Sequence, residues 1–173
     1  MKTILRPKEG DYPKGHQVYV DEAIGNNLAE AFQHASDEEQ RIIALVHGDK
    51  WNYRYAPGKW TIKEVFQHIT DIERAFCFRA FAFARGEQAD LADMDEDAYQ
   101  AEARTELRRP EDVIRELQVV RAATVELYEG LDERAIARSG TVKGRRSTVP
   151  AVGWVIAGHS EHHVRIIRER YLS

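Results

Sequence analysis

One cysteine, Cys77, in 173 residues leaves no internal disulfide and no thiolate-rich zinc site. Any metal in this chain must therefore be held by imidazole and oxygen. No apolar run approaches the roughly 20 residues needed to cross a bilayer. The opening stretch, Met1 to Gly10, carries Lys2, Arg6 and Lys8 with no apolar core behind them, so it does not read as a secretory signal, and a cytoplasmic location is expected. The 25 basic and 29 acidic residues leave a net charge of -4, and the basic ones are spread along the chain, which argues against nucleic acid as a partner. There is no internal repeat and no glycine-rich phosphate loop. A Glu-x-x-His motif, needed twice by di-iron carboxylate bundles, is missing, as is the His-Glu-x-x-His of zinc proteases.

What is present is a globular composition, 43% hydrophobic and 31% charged, in a length suited to a single domain over residues 1–173. Apolar residues recur at intervals of three and four in four segments, predicting helices over 21–47, 62–85, 111–129 and 150–171. Thr61 with Glu64 forms a capping box, Pro110 precedes an acidic pair, and Ser147 and Thr148 precede Pro150, so three starts have a local cause. Gly48, Gly86 and Gly130 each follow a helix and read as left-handed stops. The connections after the second and third helices are long. The first is acidic from Asp90 to Asp97, with a short helix expected around 98–106; the second, 132–149, is polar, and neither is expected to add much to the core. The fold class expected is all-α, an antiparallel four-helix bundle.

On a helical wheel His163 lies about 40° from His159, and Val152 and Ile166 lie about 20° to either side. Both imidazoles therefore sit within the buried stripe of the last helix. An i, i+4 pair brings two ring nitrogens within reach of one ion, and a metal satisfies both at once, whereas two packed neutral rings would need two sets of partners. His68 lies at the edge of the apolar stripe of the second helix, where it can complete a shared site. Asp71, one turn on, is the candidate to accept a hydrogen bond from the His68 ring, while Glu64 is accounted for by capping. Cys77 points about 180° away from His68. His162 is expected beside the site or facing a partner, and His16, His34 and His47 at the surface or its boundary.

The segment from Trp60 through His68, Asp71 and Glu73, and the closing run Gly158-His159-Ser160-Glu161-His162-His163 through Tyr171, resemble the DinB superfamily. The likeness extends from the first helix to the last. It implies a four-helix bundle holding a divalent transition metal, zinc or nickel, on three histidines that map onto His68, His159 and His163, with water in the remaining positions. It also implies a homodimer and a small-molecule substrate. Members are described as hydrolases, while some relatives use low-molecular-weight thiols.

Three neutral imidazoles leave coordination positions open, as in catalytic sites. A bound water activated there gives a metal-dependent hydrolase, and an incoming thiol gives a thiol S-transferase, for which Arg145, Arg146 or Arg165 could supply cations. A non-catalytic stress-response binding module is the third reading.

Overall fold

A computed structural model describes residues 3–173; Met1 and Lys2, part of the stretch read against a secretory signal, lie outside the described residues. The helices are α1 (Gln17–Glu22), α2 (Leu28–Leu45), α3 (Ile62–Arg85), α4 (Glu96–Glu102), α5 (Pro110–Glu129), α6 (Glu133–Ile136) and α7 (Val149–Ile166). A π-helical turn, Ile167–Tyr171, continues α7. Two short strands, β1 (Ser139–Val142) and β2 (Arg145–Thr148), pair antiparallel.

The fold is mostly helical, as expected, with a small two-stranded sheet in addition. Lys143 and Gly144 both have positive φ, 48° and 71°, the conformation that lets a two-residue turn join twisted strands. The hairpin also lies directly on α3, since a Cβ at Gly140 would meet the Phe83 ring at 2.0 Å. The connections consequently add more to the core than expected: Leu131, Ala135 and Val142 are buried, as are Gln100 and Thr105.

The first expected helix, 21–47, is two helices. Gly25 has φ 155°, and a Cβ there would meet the Ala31 amide nitrogen at 2.7 Å, so the chain turns sharply between α1 and α2. Asn27 then caps α2 by accepting from the Glu30 amide at 3.0 Å. Arg6 donates to the carbonyls of Val20 and Ala23, which ties the end of α1 to the amino-terminal strap.

The other starts follow their local chemistry. Thr61 and Glu64 exchange side-chain-to-backbone bonds of 3.1 and 2.6 Å, Pro110 is the first residue of α5, and Thr148 accepts from Ala151 N at 3.2 Å. Of the three glycine stops Gly86 closes α3 at φ 86° as expected, and Gly48 is also left-handed at φ 52°. Gly130 stays right-handed at φ -77°, and Gly48 opens a 3-10 turn after α2 has already ended at Leu45.

Helix α7 packs against α1, α2 and α3, and α3 also packs on α5. The core has two apolar halves. One is built around Phe32, Phe83, Tyr128 and Trp154, the other around Ile42, Phe66, Leu117 and Ile167. Along each long helix a polar layer falls between the halves: Ser36 and Glu39 on α2, His68 and Glu73 on α3, Arg121 on α5, His159 and Ser160 on α7.

Arg121 organises one side of that layer. It donates to Glu73 at 2.8 and 2.9 Å, to Glu39 at 3.1 Å and to Ser36 at 3.1 Å, while the Ser160 hydroxyl donates to Glu39. Burial raises the Glu39 pKa, opposed by Arg121. Such a layer adds little net stability over apolar packing, but it fixes which turns of the helices meet, because any other register would strand a buried charge.

Candidate metal centre

The capping box starts α3 so that His68 faces α7, and the i, i+4 spacing on α7 places His159 and His163 opposite it. The His159 Nε2 lies 3.1 Å from the His68 Nε2 and 3.1 Å from the His163 Nε2. One nitrogen from each ring lies within 4.8 Å of the other two. His68 and His159 are 3% and 4% exposed, so neither ring meets bulk water as an ordinary surface histidine would.

The donor set fits a cation better than it fits itself. An imidazole nitrogen has either one proton to give or one lone pair to offer, so the central His159 Nε2 cannot make two well-directed bonds to its neighbours. One ion at the point of convergence accepts all three lone pairs, and imidazole–metal bonds of about 2.0–2.1 Å suit nitrogens this close. Burial lowers the His68 pKa to about 4, and burial with the neighbouring rings holds those of His159 and His163 well below the usual histidine value. All three are neutral at physiological pH, the form that binds metal.

Aromatic rings wall the cluster. Trp60 packs on His68 with ring centres 4.7 Å apart and planes tilted by 43°, and Tyr19 meets His159 edge-on at 5.2 Å. Helix α1 is pressed against α7 at Gly158: a Cβ there would lie 1.7 Å from the Tyr19 carbonyl oxygen, so only glycine lets Tyr19 reach the cluster. On the open side a cavity of about 270 Å³ is shared by His163, Trp60, Lys59 and Asp97 of α4.

Asp71, expected to bond the His68 ring, instead accepts from Gln67 Nε2 at 3.0 Å and faces Arg74 at 3.6 Å. Glu64 caps α3 and pairs with Arg54. Cys77 lies away from the cluster, against Thr124. His162 stands beside the site without joining it; its Nδ1 is 3.0 Å from Glu22, and its ring is perpendicular to that of His163 at 5.3 Å.

His34, 2.6 Å from Glu161, and His47 sit at the boundary and the surface as expected. His16 does not. It is half-buried against Phe76 and Tyr19, and burial beside Arg79 and Arg145 lowers its pKa to about 4. Tyr19, Glu22 and Asp97 were not legible as site residues, because their segments carry no metal-ligand spacing.

The sequence model of the DinB superfamily matches residues 31–167, most of the chain. The chain belongs to the DinB superfamily. Among solved structures this DinB protein is similar to YfiT from Bacillus subtilis, at 16% identity and a TM-score of 0.72 over 94% of this chain and 89% of that one. YfiT is described as "a probable metal-dependent hydrolase with an unusual four-helix bundle topology". The mycothiol-dependent maleylpyruvate isomerase is also similar, at 16% identity and a TM-score of 0.66 over 78% of this chain and 56% of that one. At these identities both likenesses establish the fold. No functionally curated protein matches the sequence significantly.

Proposed function

We propose that this DinB protein is a metal-dependent hydrolase acting on a small organic substrate, with one divalent ion held by His68, His159 and His163. The observation that carries the reading is the oversubscribed His159 Nε2, which three converging rings cannot satisfy among themselves. A divalent ion held there would supply Lewis acidity toward a water or substrate oxygen, with zinc and nickel among the ions that accept imidazole ligands.

The chain's own residues supply the rest. Burial keeps the three imidazoles unprotonated, so no proton has to leave before an ion binds. Trp60 and Tyr19 hold two of the rings in place and exclude water from those sides. The carboxylate of Asp97, across the small cavity from His163, lies where a substrate must enter. The Arg121 layer, through Ser160 beside His159, keeps α7 in register with α3 and so keeps the nitrogens converged.

The reading includes an antiparallel bundle over residues 1–173 as one domain, a homodimer and a cytoplasmic location. No helix among the described residues is long and apolar enough to cross a membrane. A thiol S-transferase is the second reading, favoured by the likeness to a mycothiol-dependent enzyme. Incubating metal-loaded protein with esters, amides and electrophiles, with and without cellular thiols, decides between them. Turnover of an ester or amide without thiol is expected, and turnover that strictly requires a thiol would replace hydrolysis by transfer.

A further inference from the structure

A second, larger cavity of about 830 Å³ lies between α3 and α4, a volume in the range of pockets that take a small organic molecule. It runs along α3 from one turn beyond His68. Ala75 and Arg79, in its wall, lie about 20° from His68 on the helical wheel and about 10 and 16 Å further along the axis. Its other wall is α4, where successive residues divide between the two cavities: Asp97 faces the space shared with His163, and Ala98 lines the large one. Glu96, the first residue of α4, interacts electrostatically with both Tyr19 at the histidine cluster and Arg79 in the large cavity, which puts it at the junction.

The lining decides what fits. Met94, Ala75 and Leu91 give an apolar floor, and Phe78 and Tyr99, 58% and 56% exposed, are large rings left uncovered at the rim. Both guanidinium groups in the wall are already matched. Arg74 pairs with Glu116 and faces Asp71, and Arg79 pairs with Asp93 at 2.7 Å. With Asp71, Asp93 and Glu102 against Arg74 and Arg79, the cavity holds one more carboxylate than cation and offers no unmatched positive charge to an anion. We infer that the α3–α4 cleft receives the uncharged, apolar body of the substrate whose reactive end lies at His68, His159 and His163. The inference rests on the metal reading above, and it narrows the substrate class to neutral molecules with an aromatic or aliphatic tail.

Two dyes of one skeleton test the charge preference, since N-phenyl-1-naphthylamine is neutral and 1-anilinonaphthalene-8-sulfonate is anionic. The neutral dye is expected to bind saturably, one per chain, at least tenfold more tightly than the sulfonate. Ala98→Trp, at an exposed position of the cleft, should weaken it at least tenfold, whereas Ala123→Trp, on α5 in the adjoining apolar groove that shares only Arg74 and Phe78 with the cleft, should not. Equal or tighter binding of the sulfonate, or indifference to Ala98→Trp with unchanged helix content, would overturn the assignment.

Coupling to the metal centre is read by displacement of the neutral dye. Octanohydroxamate, with a chelating head and an aliphatic tail, should displace it at least tenfold more effectively from cobalt-loaded than from metal-free protein, and acetohydroxamate should not displace it. Displacement independent of cobalt would separate the cleft from the histidines and overturn the inference. Failure to take up cobalt would overturn the metal reading and the coupling with it, while the dye comparison would still decide the cleft's preference for a neutral ligand.

Discussion

Arg121→Met removes the one cation that Glu39 and Glu73 share, in a layer where Arg121 and both carboxylates are no more than 5% exposed. Methionine fills similar volume, so the effect isolates the charge. Leaving a buried pair without its partner costs about 3–5 kcal/mol, a large share of the roughly 5–15 kcal/mol that holds a domain folded. At about 2–4 °C per kcal/mol for a chain of this size, the midpoint should fall by some 6–20 °C.

The loss should also depend on pH in a defined direction. Burial already raises the Glu39 pKa above its ordinary value with Arg121 in place, and without the arginine it rises further. A carboxyl with a raised folded-state pKa gives its stability below the unfolded value and loses it as pH rises through the folded value. The variant should therefore recover part of its deficit between pH 7 and pH 5. Adding Glu39→Gln and Glu73→Gln should recover more. Urea denaturation of the three proteins at both pH values is the assay. A deficit under about 1 kcal/mol, or one that deepens on acidification, would refute the view that this layer is a paired, desolvated charge network.

His16 gives an opposite acid response in the wild type. With a folded pKa of about 4 against 6.5 when unfolded, it stays neutral in the native protein while the unfolded chain takes a proton, so stability is full above pH 6.5 and falls toward pH 4. By pH 5 the loss reaches about 2 kcal/mol, and His16→Gln should remove that component from the pH profile of urea stability. Gly158→Ala should push α1 off α7, costing about 1–3 kcal/mol by thermal melting. It should also weaken metal retention in a chelator titration, because Tyr19 leaves His159. Thr61→Ala should cost about 1 kcal/mol by removing the α3 cap, seen in chemical denaturation with no change in metal content.

The long helices and the histidine triad were legible because each leaves a local mark. Thr61 and Glu64 announce α3 by their spacing, and an i, i+4 histidine pair inside an apolar stripe announces convergence before any packing is known. The break at Gly25 was not legible, because an amphipathic pattern continues across it and only the close approach to Ala31 shows why the helix must stop. Asp71 was misassigned for a related reason. Its position one turn from His68 is correct, but Gln67 and Arg74 on its own helix both engage its Oδ1. Tyr19 reaches the site through a tertiary contact made possible by Gly158, a residue whose importance is a distance and leaves no periodic signal.

The proposed chemistry requires a cation at the histidine nitrogens. Elemental analysis of protein purified without an affinity tag, paired with melting before and after chelation, tests it most directly. About one zinc or nickel per chain is expected, with a midpoint that drops on chelation and returns on adding back the ion, since an ion at a thousand times its dissociation constant stabilises the fold by about 4 kcal/mol. His68→Ala, His159→Ala and His163→Ala should each abolish retention. Wild-type protein with no bound metal, whose melting ignores both added ion and chelator, would contradict the central claim.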